Sequence, residues 1–271
     1  MRQSQDFQDY WDDELGDIYP YWYCDRYNWE AYVDVLLKIA RKRLSVDDVG
    51  SFLFLDCACG GCGEPALTLA RKGLNVVATD GSQKMLNYAI ERGRDWKNVT
   101  FIPYPVRWSD LDEQLGSDRF EVVICAANSI CHVPSCRALS ALQNMYHVLK
   151  NKGICFVDTK RYDKEGRELT FDEHKGWLPR IKRTDGKIEI DGDTVHFSTF
   201  NEYPKKPNGT AKIMLERRYR NGRVKRDEFS FWTTSAEMVR KFMLEAGFWD
   251  VFIHRAVPSV WKYDICIGVK Q

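Results

Sequence analysis

The hydrophobic period changes repeatedly along the first 160 residues. Val33, Leu36, Leu37 and Ala40 fall on one stripe of a helix over 29–44, with Lys and Arg in its last turns. Phe52 to Leu55 is a short apolar run that reads as a buried strand, 51–55. An Ala-, Leu- and Arg-containing stretch at 66–72 reads as a helix ending near Gly73, and 75–79 as a second strand. Met85, Leu86 and Ala89 face inward on a helix over 82–92, and 99–103 is a third strand. The run from Phe120 to Ala126 predicts a central strand buried on both faces. A helix over 136–150, stopped near Gly153, leads into a fifth strand at 153–158. Strands alternating with helices predict a parallel sheet built from right-handed crossovers.

After Asp158 the pattern becomes antiparallel. Strands are expected at 188–190, 195–203, 211–220 and 223–232, separated by hairpin residues such as Asn221-Gly222. The α/β pattern then resumes: Ser235 caps a helix running to about Ala246, Gly247 stops it, and strands follow at 251–255 and 263–269. The fold class predicted is α/β, a doubly wound, mostly parallel seven-stranded sheet with an antiparallel β insert acting as a lid. The expected divisions are an N-terminal cap and helix at 1–44, the α/β domain at 45–163 and 234–271, and the insert at 164–233.

Composition narrows the function classes. The net charge of +1 over 271 residues gives no global drive toward nucleic acid. The basic cluster at Arg217, Arg218, Arg220, Arg223, Lys225 and Arg226 reads as a solvated hairpin face, interrupted by Asp227 and Glu228. No long apolar stretch and no signal peptide are evident, so no membrane partner is expected and the location expected is cytoplasmic. Nine cysteines in such a chain read as reduced thiols. Cys57, Cys59 and Cys62 are crowded, but their spacing fits structural zinc poorly, and no metal is expected. Residues 1–30 alternate acids with aromatic rings, Tyr21 among them; packing and a cap over a cationic ligand are both compatible with that pattern.

The chemistry concentrates at Asp56-Cys57-Ala58-Cys59-Gly60-Gly61-Cys62-Gly63, between the first strand and its helix. A Gly-rich strand-to-helix turn lets a ligand approach backbone and helix N-terminus. By itself it also suits any tight turn. Asp80 at the tip of the next strand adds a carboxylate about 20 residues on, where ribose hydroxyls can be bound. Neither a phosphate-gripping Lys-Ser/Thr nor the Gly-x-Gly-x-x-Gly of dinucleotide sites is present.

Asp-x-Ala-Cys-Gly, followed by Asp-Gly-Ser-x-x-Met-Leu at 80–86, resembles the S-adenosylmethionine site of class I methyltransferases, and more narrowly the glycine and glycine/sarcosine N-methyltransferase group. Phe120 to Pro134, with Asn128, Ser129 and His132, is the most specific part of the resemblance; Asp158 to Asp163 also matches. The resemblance implies S-adenosylmethionine as cofactor and S-adenosylhomocysteine as product. Asp56, Gly60, Gly63, Asp80, Gly81, Met85 and Trp108 are the expected cofactor residues. Asn128 and His132 are the candidates nearest the chemistry, and Lys160, Arg161, Tyr162 and Tyr21 the candidates for the acceptor.

Three departures from the family stand out. The Gly turn is one residue longer, Val106-Arg107-Trp108 replaces Ala-Asn-Trp, and Lys160 occupies the place of the Arg that grips a carboxylate, with Arg161 beside it. Lys offers a point charge where Arg offers a fork. The expected reaction is methyl transfer to the nitrogen of a small amine or amino acid. Alternatives are an amino-sugar or other natural-product nitrogen or oxygen acceptor, a metalloid acceptor, and a non-catalytic cofactor-binding sensor. The chain is also compatible with a homo-oligomer.

Overall fold

The computed structural model describes residues 24, 27–162, 181–190, 193–204, 209–255 and 263–271. The expected N-terminal cap, including Tyr21, falls outside them apart from Cys24 and the residues from Tyr27 onward. Helix α1 (Trp29–Leu44) starts where the Asn28 side chain accepts the Ala31 N–H and stops at Ser45 in the left-handed region. There follow β1 (Leu53–Asp56), α2 (Ala66–Arg71), β2 (Asn75–Ala78), α3 (Gln83–Gly93), β3 (Val99–Phe101), α4 (Leu111–Leu115), β4 (Phe120–Cys125), α5 (Ser135–Val148) and β5 (Leu149–Thr159). Strands β6 (Ile181–Ile190), β7 (Asp193–Glu202), β8 (Thr210–Arg218) and β9 (Val224–Trp232) come next, then α6 (Ala236–Glu245), β10 (Trp249–His254) and β11 (Asp264–Val269).

The first sheet has seven strands in the order β10-β11-β5-β4-β1-β2-β3. Strands β3, β2, β1, β4 and β5 are mutually parallel, and β11 runs antiparallel to both β5 and β10. Alternation within each strand explains the layers. Val122 and Ile124 of β4 face a core containing Tyr32, Leu36 and Leu69 from α1 and α2. Val123 and Cys125 face the opposite core with Leu142, Met145, Val239 and Met243 from α5 and α6. Burying each such aliphatic side chain contributes roughly 1.5–3 kcal/mol. The strand order reverses at β1, which pairs with both β2 and β4. In open α/β sheets the crevice beyond the strand ends at such a reversal is where ligands bind.

The second sheet is a four-stranded antiparallel meander, β6-β7-β8-β9. Its basic run is largely paired internally. Arg217, 1% exposed, meets Asp227, while Arg218 and Arg226 share Glu216. The meander touches the first sheet through Tyr203, Ala211 and Phe231, which pack with Cys131 beyond β4 and with Tyr162 beyond β5.

Three expectations need correction. Strand β5 begins at Leu149, before Gly153, because Leu149 pairs with Phe120 across the sheet and so ends α5 early. Strand β6 runs ten residues where three were expected; its polar stretch Lys182 to Lys187 is held by full pairing with β7. The cysteines are not all thiols: Cys24 and Cys62 form a disulfide, Cα–Cα 5.3 Å, across a sequence separation of 38. No spacing rule pairs these positions, one ahead of α1 and the other beyond β1. Closing a loop of that size contributes about 3–4 kcal/mol in the chain-entropy model. Cys57, Cys59, Cys125, Cys131, Cys155 and Cys266 are free and buried.

Candidate functional site

The tips of β1 and β2 are laced together by backbone. Thr79 N–H donates to Asp56 O, Cys59 N–H to Thr79 O, and Cys57 N–H to Ile124 O on β4. The loop that follows turns sharply at Gly60 (φ 57°) and Gly63 (φ 68°), both in the left-handed region that favours glycine. Two carboxylates hold it. Asp56, fully buried, accepts the N–H groups of Ala58 and Ala66, one from each side of the loop. Burial pushes its carboxyl well up, and those two hydrogen bonds pull it back. Asp80 accepts the N–H of Gly60 at 2.9 Å and that of Ser82 at 3.0 Å. Ser82 in turn caps α3 by accepting the Met85 N–H.

An open cleft lies beyond these tips, at the strand-order reversal. Among the expected residues, Gly60, Asp80, Gly81, Met85, Trp108 and His132 line it. Cys57, Ala58, Ser82 and Ser129 line it as well. None of these four was among the expected site residues; each sits one or two places from a residue that was, which is the signal that marks them. Trp108 is fixed from two directions. Its indole N–H donates to Cys57 O at 2.7 Å, and Asn144 of α5 donates to its carbonyl. Arg107 beside it is exposed and outside the lining. Asp56 and Gly63 are not in the lining either; both lie in the frame of the turn.

The other side of the cleft is built at the ends of β4 and β5. Ala127 (φ 57°) and Asn128 (φ 63°) are consecutive left-handed residues, a conformation that costs on the order of 1 kcal/mol or more at each. Asp158, buried at the end of β5, holds them by accepting both backbone N–H groups. The buried Tyr32 hydroxyl of α1 lies against the same carboxylate, and burial and Asp158 both push its phenol up. Asn128 is 3% exposed, and its side-chain oxygen accepts from the Thr159 hydroxyl and the Lys160 N–H, each at 3.0 Å. It therefore ties the two strand ends together and is not among the residues lining the cleft.

His132 closes the one-turn 3-10 helix Ser129–His132 and reaches the cleft. Burial, followed by the Lys160 ammonium, lowers its ring to about 4, so the imidazole is neutral at ordinary pH. The Lys160 ammonium lies 5.5 Å from the centre of the Phe231 ring of β9, within cation–π range. Arg161 points elsewhere: its guanidinium grips Asp264 of β11, with nitrogens at 2.7 and 3.2 Å. Arg255 pairs with the other oxygen of Asp264 and with Glu237. Of the two neighbouring acceptor candidates, Arg161 is thus turned away from Lys160, because the Asp264 carboxylate, 1% exposed, claims its fork. Tyr162 packs with the Phe231 cluster. Among the described residues no group of three or more His, Cys, Asp or Glu side chains is arranged to hold a metal ion, and no helix is long and apolar enough to cross a membrane.

Comparison with known proteins agrees with this geometry. Residues 54–153 match the family model described as a methyltransferase domain. Glycine N-methyltransferase of Mus musculus is 34% identical over 124 residues, 42% of each chain. Glycine/sarcosine N-methyltransferase of Parasynechococcus marenigrum is 29% identical over 161 residues, 59% of this chain and 51% of that one. The chain thus spans about half the length of the curated relatives it matches, or less. The solved structure of the sugar N-methyltransferase KedS8 from a Streptoalloteichus species superposes with a TM-score of 0.68 at 18% identity, covering 95% of this chain and 93% of that one. The chain has the Rossmann-like fold of class I methyltransferases and resembles the glycine N-methyltransferase group.

Proposed function

We propose that the protein is an S-adenosylmethionine-dependent methyltransferase that methylates the nitrogen of a small amine or amino acid. The observation that carries this reading is Asp80: a carboxylate at the tip of β2, tied into the Gly turn and lining a cleft at the strand-order reversal. A carboxylate accepts hydrogen bonds and donates none, so its chemistry suits the hydroxyls of a ribose diol. Met85 and Trp108 offer apolar surface for the adenine, and Gly60 and Gly81 allow close approach to backbone. Asp56 and Gly63 act on the cofactor indirectly, by holding the turn.

When bound, the cofactor would supply a sulfonium methyl open to in-line attack by an amine lone pair, with S-adenosylhomocysteine as the leaving group. The chain's part is to place the amine and exclude water. A neutral His132 imidazole can accept a hydrogen bond from the amine N–H and so aim its lone pair. Lys160 supports an acceptor carrying an anionic group, and its charge disfavours a second cation nearby, so the amine is favoured in its unprotonated, nucleophilic form. Asn128 positions the Lys160 backbone. The four-stranded sheet, through Phe231 and Tyr203, serves as the lid on this side.

Arg161 gives a second reading a specific footing. With its fork held by Asp264, no bidentate carboxylate clamp is available from that residue, which leaves room for an acceptor without a carboxylate, such as an amino-sugar. The test is S-adenosylhomocysteine formation with glycine, sarcosine, dimethylglycine, simple amines and amino-sugars. Turnover of small amino acids is the expected result. Turnover confined to amino-sugars moves the assignment to the second reading. Cofactor binding without turnover of any acceptor leaves a sensor.

A further inference from the structure

The Gly turn carries the disulfide. Cys62 lies between Gly60 and Gly63, and it is bonded to Cys24 ahead of α1. Nearby in the same turn, Gly60 donates to Asp80 and also accepts the Gly63 N–H. The bond therefore ties the arm before α1 to the loop that orients the diol-binding carboxylate.

The other described cysteines differ in kind. Burial pushes the thiols of Cys59, Cys125, Cys155 and Cys266 up, which keeps them protonated and poorly nucleophilic. Cys62 is 5% exposed and Cys24 is half-buried, so Cys24 is the more exposed end of the bond. Among the described residues this is the one disulfide, and it sits in the turn whose Gly60 lines the cleft.

We propose that the Cys24–Cys62 pair is a reversible redox latch on the cofactor turn, its disulfide form binding S-adenosylmethionine and S-adenosylhomocysteine more tightly than its dithiol form. The inference rests on the proposed cofactor site. In the reducing step a thiolate of a dithiol reductant attacks the Cys24 sulfur, and the Cys62 sulfur leaves and takes a proton. The second thiol of the reductant then displaces Cys24, which is released as a thiol. The protein gains two electrons and two protons, and the reductant ends as a disulfide. Reduction frees the loop from the arm and loosens the Gly60–Asp80 geometry. Because coupling is reciprocal, a bound cofactor must make the disulfide harder to reduce by the same factor by which the disulfide improves binding.

The test uses the full chain, with S-adenosylhomocysteine as the probe. Peptide mapping of air-oxidised protein without reductant should recover Cys24 and Cys62 peptides joined. Dithiothreitol should then weaken the probe's Kd by roughly 5-fold or more, the lower end of ordinary coupling energies. Cys24→Ser and Cys62→Ser should bind with the weaker Kd in both conditions. Equilibration in glutathione buffers should give a pair more resistant to reduction when the probe is present. Failure to recover the joined peptides overturns the inference, as does an equal Kd before and after reduction, and in either case tight binding leaves the cofactor site standing. No binding in both states overturns the cofactor reading and the latch together.

Discussion

The two walls of the cleft are built by different means. The wall at β1 and β2 comes from one short stretch, residues 56–85, whose backbone N–H groups answer its own carboxylates Asp56 and Asp80. The wall at β4 and β5 is gathered from 128–132, 158–162, 231 and 264, and its side chains are held by partners 30 to more than 100 residues away. A local wall keeps its geometry wherever the loop is kept. A gathered wall can change one charge and redirect another, which in the proposed function suits the side facing the acceptor.

Substitutions on either side test that contrast. The largest effect expected is from Cys24→Ser, which removes the covalent tie on the local wall and should lower unfolding free energy by about 3–4 kcal/mol in urea titrations without reductant. If denaturation in dithiothreitol separates wild type from variant equally, the tie is not what stabilises that wall. Next, Asp80→Ala should weaken S-adenosylhomocysteine binding by about 100-fold, the loss of charge-assisted hydrogen bonds worth roughly 1.5–3 kcal/mol. Isothermal calorimetry giving an unchanged Kd removes the ribose assignment.

Asn128→Ala leaves the Lys160 N–H without its acceptor and puts alanine in a left-handed conformation. A loss of about 2 kcal/mol is expected, together with a raised acceptor KM at nearly constant cofactor Kd. Asn128→Gly should recover the backbone part only. Acid should then weaken the gathered wall. His132 titrates near 4 in the folded chain, below its ordinary 6.5, so the unfolded chain takes up the proton first. Stability is therefore lost as pH falls from 6.5 toward 4 and is fully present above 6.5. About 1–2 kcal/mol is expected after allowing for solvent screening, and His132→Gln should flatten that part of the urea-midpoint profile. The smallest effect is Lys160→Met, expected to raise KM for carboxylate-bearing acceptors about 10-fold, one ordinary charged hydrogen bond. Arg161→Met should leave KM close to wild type; a KM effect confined to Arg161 reverses the roles of the two cations.

What could be read from sequence follows the same division. Gly60, Asp80, Met85 and Trp108 were legible because turn chemistry, strand tips and helix starts are local properties, and all four line the cleft. Seven strands in the first sheet were legible from alternating periods, down to the fully buried β4. Strand β6 was mostly hidden, since a polar stretch becomes a strand only when a neighbour pairs with it. Arg161 and Asn128 could be placed at the right strand ends but not oriented. Asp264, which decides where Arg161 points, is 103 residues further along. The Cys24–Cys62 bond was missed for the same reason.

Strand β11 lies between β5 and β10, yet it is the last strand of the sheet to leave the ribosome. Until it arrives, the inner edge of β5 has no neighbour and Arg161 has no Asp264. Every residue named for the cofactor wall has by then been synthesised. Translation order therefore completes the local wall before the gathered one, and it leaves one unpaired apolar strand edge that must be shielded until β11 has emerged.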